Sequence, residues 1–110
     1  PKASEIGRDL VAKAIKSNDA MKLNEIAWGI VDPEAQIEKP DLDLALTAAT
    51  KAVEITKEKD GAILDTLAWV HFHKGDTAKA IEIEKKAIAA APAGMKDQLE
   101  ESLKKFEAKK

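Results

Sequence analysis

"AILDTLAWVHFHKGDTAKAIEIEKKAIAAAP", residues 62–92, decides how the chain folds. Leu64, Leu67 and Ala68 recur at the spacing of one helix face. Gly75 supplies a left-handed terminator for that helix. Asp76 then opens a second helix, with Ala80, Ile81 and Ala87 on its apolar side, and Pro92 stops it. The stretch therefore reads as helix, tight turn, helix. The same order of residues occurs earlier. Leu23, Ile26, Ala27, Trp28 and Ile30 fall on Leu64, Leu67, Ala68, Trp69 and His71 at an offset of 41. Asp41, Ala45, Leu46 and Ala52 fall on Asp76, Ala80, Ile81 and Ala87 at an offset of 35. The difference, 41 − 35 = 6, is the extra length of the loop "DPEAQIEKP", residues 32–40, punctuated by Pro33 and Pro40. Two helical hairpins with one enlarged loop account for both offsets. Self-similarity at a nearly fixed period is the mark of a helical solenoid.

The flanks extend this pattern. In residues 4–16, Ile6, Leu10 and Ala14 share one face with Val11 and Ile15 beside it, and Ser4 reads as the cap. Asn18 reads as the cap of a second helix running to about Val31. A third helix starts near Asp41, with Leu42, Ala45, Leu46, Ala49, Ala52 and Val53 on its apolar stripe. "KEKDG" interrupts, and a fourth helix spans about Ala62 to Lys74. The fifth begins at Asp76 or Thr77 and runs to Pro92. Gly94 is expected to separate a last helix, about 95–108, whose Met95, Leu99, Leu103 and Phe106 form one stripe against a polar face, as an end cap requires. The expected fold is all-α: one domain over residues 1–110, with repeats at about 19–57 and 61–92 between an N-terminal helix and a capping helix.

Composition agrees. Apolar residues make up 45% of the 110-residue chain, enough for a core, and alanine, leucine, glutamate and lysine favour helices. A net charge of −2 gives no field to attract nucleic acid or an anionic membrane. The basic "KKFEAKK" near the end complements the negative pole of a helix. Without cysteine there are no disulfides and no thiolate chemistry, and the compartment is left open. No apolar run approaches the roughly 20 residues of a membrane span. The opening Pro1, with no initiator methionine, reads as the start of a segment cut from something longer.

Residues 62–92 closely resemble a tetratricopeptide repeat, through Leu64, Leu67 and Ala68, the "GD" turn at Gly75 and Asp76, Ala80, Ala87 and the closing Pro92. His71 and Glu84 stand where that family usually places aromatics. The wider run from "LNEIAW" to "GDTAKAIE" is also similar to tetratricopeptide segments of bacterial multidomain proteins, including segments that follow thioredoxin-like domains. The resemblance implies a short right-handed superhelix of antiparallel helix pairs. Its first helices line a concave face in which a peptide or protein segment lies. It implies a non-catalytic protein-interaction module with no cofactor, binding a protein or peptide, with another domain of the same polypeptide as one such partner. An accessory tail that orients an upstream thioredoxin-like enzyme domain is the alternative within the same family.

At roughly 100° per residue, Leu23, Ile26, Ala27 and Ile30 share one side of the second helix, while Asn24, Trp28 and Val31 cluster on another. The corresponding cluster in the fourth helix is Asp65, Trp69 and Phe72, with His73 beside it. These seven residues form the expected partner-binding face, tryptophan beside tryptophan, since tryptophan is enriched at binding hot spots. The same two indoles also suit plain packing of one first helix on the next.

His71 and His73 invite a metal-dependent reading. Their side chains diverge by about 200° on a helix, whereas a helical metal pair needs i, i+4 spacing. His71 is expected to be partly buried and hydrogen-bonded, and His73 to lie at the groove edge or in solvent. Paired carboxylates such as Asp41 and Asp43, or Glu82 and Glu84, read as helix-surface charges, with Glu82 supporting Lys86 at i, i+4. The five glycines are scattered, so no phosphate-binding loop is present, and no catalytic triad motif occurs. The last helix could also suit a membrane surface or a helix-binding partner, but its acidic content favours a cap.

Overall fold

Four aspartates set the starts of four consecutive helices. Oδ1 of Asp19 accepts from the Lys22 N–H at 3.0 Å, and that of Asp41 from the Leu44 N–H at 3.0 Å. Asp60 Oδ1 accepts from Ala62 and Ile63, and Asp76 Oδ1 from Lys79 at 3.1 Å. Each such cap satisfies a donor the helix cannot and is worth about 1 kcal/mol. Asp19 and Asp60 lie 41 apart, and Asp41 and Asp76 lie 35 apart, so the caps repeat with the same two offsets as the apolar residues.

The computed structural model describes residues 2–32 and 41–109. Among them are six helices and no strand: α1 (Lys2–Lys16), α2 (Ala20–Val31), α3 (Leu42–Thr56), α4 (Gly61–His73), α5 (Thr77–Ala90) and α6 (Ala93–Ala108). The enlarged loop expected at 32–40 lies, beyond Asp32, outside the described residues. Several expected boundaries move. Ser4 falls inside the first turn of α1 and is not its cap. Asn18 does not cap α2; it takes a left-handed conformation, φ 53°, and closes α1, after which the Asp19 N–H reaches back to the Ala14 carbonyl at 2.9 Å. Gly94 lies within the first turn of α6 and does not precede it. α5 ends at Ala90, two residues before Pro92.

Gly75 does terminate α4 as its position predicts, with φ 90° and the Asp76 N–H bonded to the His71 carbonyl at 2.9 Å. α3 closes on Lys57 and Glu58, both left-handed.

Each helix packs on its sequence neighbours. α1 touches α2 and α3, α2 touches α3 and α4, α3 touches α4, and α4 and α5 fold back on each other, with α6 against α5 and α4. Contacts among the described elements therefore stay local in sequence. The radius of gyration, 13.2 Å, matches the roughly 13 Å of a compact chain near this length. Alanine is what allows the close crossings. The equivalent pairs Ala27 and Ala68, Ala45 and Ala80, and Ala52 and Ala87 are all 0% exposed. A side chain of one carbon lets two helix backbones approach where a larger one would hold them apart. Around these crossings sit Leu23, Val31, Ile63, Leu64, Val70 and Phe106. Leu10, expected on the packed face of α1, is 41% exposed, and that helix is held instead through Val11 and Ala14. Lys86 does not turn to Glu82; its Nζ lies 3.7 Å from Glu58 Oε1.

Backbone approaches most closely at Gly61, where a Cβ would stand 2.7 Å from the Ala87 carbonyl oxygen and 2.9 Å from the Ala91 Cβ. At Gly29 a Cβ would meet nothing within 4 Å. Urea denaturation should therefore separate the two Gly→Ala substitutions. Gly29→Ala should stabilise by about 0.5–1 kcal/mol, and Gly61→Ala should destabilise by about 1–3 kcal/mol because backbone must move. Phe106 is 0% exposed at the α4–α6 contact, so Phe106→Ala should cost about 3–5 kcal/mol in the same measurement. A loss below about 1 kcal/mol would mean α6 is not part of the core.

Candidate functional site

Trp69 projects from the middle of α4 into the space between α2 and α6. Its ring meets Phe106 edge-on at 4.8 Å and Phe72 at 5.6 Å, and its Nε1 donates to Ser102 Oγ at 3.2 Å. Trp28, from α2, approaches it at 6.5 Å with the planes 74° apart. The two tryptophans are thus neighbours on adjacent first helices, as their register requires. They differ in access. α6 covers Trp69, which is 4% exposed, while the Trp28 indole remains partly open.

The other expected face residues divide the same way. Val31 is 1% exposed and belongs to the core, so it offers a partner nothing. Phe72 is half-buried against Phe106, ring centres 4.7 Å apart. His73 is exposed, but its Nε2 lies 2.9 Å from the Val31 carbonyl, fastening the end of α4 to the end of α2. His71 is half-buried on the other side of α4, and burial pulls its pKa below the usual 6.5, which keeps the ring neutral. Among the described residues no three His, Asp or Glu side chains gather as a metal site would need.

What remains open is a cleft bounded by α2, α4 and α6. One part, about 220 Å³, lies over Asn24, Ala62 and Thr66. The other, about 460 Å³, runs past Trp69, Ser102 and Lys105. Trp28, Asp65 and Gln98 line both. Asn24 Oδ1 is buried with no hydrogen-bond partner among the described residues. Lys105 Nζ sits 5.9 Å from the centre of the Trp69 ring, within cation–π range.

Beneath the cleft Asp65 faces Glu84 of α5. Glu84 was expected as a surface charge, yet it is 0% exposed. The reason is its register. Glu84 is the counterpart of Ala49, at the same offset of 35, and Ala49 is also 0% exposed. As two ionised carboxylates the pair would leave Asp65 Oδ1 and both Glu84 oxygens without partners. A proton on Glu84 turns them into donor and acceptor. Burial, reinforced by the facing Asp65, pushes the Glu84 carboxyl up to about 10. Burial also raises Asp65, opposed by hydrogen bonds from Glu84 and Ser102. The pair therefore keeps a shared proton at neutral pH.

Glu84, Ser102 and Lys105 were absent from the expected site. Ser102 had a signal: it falls between Leu99 and Phe106 on the apolar stripe of α6, at spacings of three and four. Lys105 had none, because only the rotation of α6 brings it to Trp69.

A scan against protein-family models finds no match to this chain, and searches of curated proteins and of solved structures likewise find none.

The carboxyl pair has a pH signature. Glu84 binds its proton with a pKa near 10 when folded and near the ordinary 4.5 when unfolded. Between those values the folded state holds more protons, so stability falls as pH rises, by at most about 1.4 kcal/mol per unit for one proton. His71 acts oppositely, since its folded pKa is lowered, but only below about its usual 6.5. Calorimetry from pH 7 to 9.5 should show Tm declining in the wild type. In Glu84→Gln the profile should flatten and the Tm at pH 8 should rise. Parallel profiles for the two proteins would show that Glu84 is not protonated in the native state.

Proposed function

We propose that this chain is a non-catalytic interaction module. Its two helical hairpins, with equivalent aspartate caps and equivalent buried alanines, stack in the manner of tetratricopeptide repeats as a short right-handed superhelix. The cleft between α2, α4 and α6 receives an extended peptide, supplied by a separate protein or by another domain of the same polypeptide. The observation that carries this reading is the partly open Trp28 indole at the junction of the two parts of the cleft. A half-exposed tryptophan beside a buried acceptor that lacks a partner, Asn24 Oδ1, is a surface with both apolar area and hydrogen-bonding capacity left over.

The two tryptophans do not share the work equally. Trp69 positions α6 and leaves Trp28 as the contact residue. The test is a peptide-display selection on the immobilised chain, repeated on Trp28→Ala after circular dichroism shows that the variant is folded. Peptides enriched on the wild type should bind Trp28→Ala at least about tenfold more weakly, the loss expected when a hot-spot aromatic is removed. Enriched peptides that bind both proteins equally would place the contact surface elsewhere and end this reading.

A further inference from the structure

The chemistry of the cleft selects its occupant. Its walls carry the carboxylates of Asp65 and Glu101 beside one lysine, Lys105. Its floor offers the unpartnered acceptor Asn24 Oδ1, and the partly open Trp28 indole forms its side, with the covered Trp69 ring behind Lys105. Acceptors, negative charge and π faces outnumber donors. An anionic ligand would meet repulsion there, and an apolar one would leave Asn24 Oδ1 unsatisfied. A planar cation with several N–H donors matches these features: it stacks on the open Trp28 indole, and its donors reach carboxylate and amide oxygens.

The chain already places a cation at this position. Lys105 Nζ, 5.9 Å from the Trp69 ring centre, occupies the mouth of the cleft. Lys105 is an exposed side chain on a flexible stem, and it can swing into water without disturbing the α6 backbone.

We propose that the cleft binds an arginine side chain of the docking segment, whose guanidinium displaces Lys105 and lies between Trp28 and the Asp65–Glu101 wall. This rests on the interaction-module reading and names the side chain that anchors the partner.

The test is a titration of the ¹⁵N-labelled chain with acetyl-Gly-Arg-Gly-amide, following the indole N–H signals of Trp28 and Trp69. The same peptide with citrulline, which keeps the shape of arginine but not its charge, is the control. Saturable shifts with the arginine peptide only are expected. Lys105→Ala should tighten binding about three- to tenfold by removing the internal competitor. Glu101→Gln, at an exposed position that does not hold the fold, should weaken it several-fold. Citrulline binding as well as arginine, no saturable shift even in Lys105→Ala, or an affinity indifferent to both substitutions would overturn the proposal. A display-selected peptide that needs Trp28 but contains no basic residue would overturn the arginine assignment while leaving the interaction reading standing. Selected peptides indifferent to Trp28 would remove both.

Discussion

The indole of Trp69 constrains everything around the cleft. Its N–H, buried between three helices, would be an orphan donor without Ser102, and a buried unmet donor costs about 1–3 kcal/mol. Its ring needs edge contacts, which Phe106 supplies at 4.8 Å. Ser102 and Phe106 lie four residues apart on α6, so a single side chain of α4 fixes both the rotation and the height of that helix. Once α6 is so placed, Gln98, Glu101 and Lys105 necessarily turn toward the opening beside Trp28. The composition of the cleft wall is a consequence of how one tryptophan is satisfied.

The polar centre below it is not the most stable solution available. A well-packed apolar pair in place of Asp65 and Glu84 would avoid desolvating two carboxyls. The first hairpin comes closer to that solution, with Asn24 and the fully buried Ala49 at the equivalent positions. The second hairpin instead keeps an acid held protonated at neutral pH, with its partner at the base of the cleft. The two hairpins share their caps and crossings and differ in the charge they present, so the difference lies in the site and not in the fold.

That division explains what the sequence disclosed. Caps, left-handed terminators and alanine crossings act over a few residues, and each was visible as a local pattern repeated at two offsets. Even the errors there were small. Asn18 and Asp19 are adjacent and both suit a helix boundary, and only the fold shows that the first closes α1 and the second opens α2. The fate of the seven expected face residues was less legible, because helical periodicity assigns a direction and not a depth. Val31 and Trp69 point where the register says, but one sits in the core and α6 covers the other. Glu84 was misread for a different reason. Its charge outweighed its register, although the offset of 35 that pairs Asp41 with Asp76 also pairs Glu84 with Ala49, on the apolar stripe of the third helix.

The expected role of α6 as a cap does not account for all of its residues. A cap needs an apolar stripe to close the last hairpin and a polar face to meet water, and Leu99, Phe106 and the flanking glutamates meet that need. Nothing in that role calls for a serine in the middle of the buried stripe, where alanine would pack as well and keep higher helix propensity. Ser102 is accounted for only by the two groups it touches, the Trp69 N–H that it accepts and the Asp65 carboxylate that it supports. Both belong to the cleft. With one side of its stripe α6 packs on α5 and α4, and with the other it orders the aromatic and the acid beside the opening.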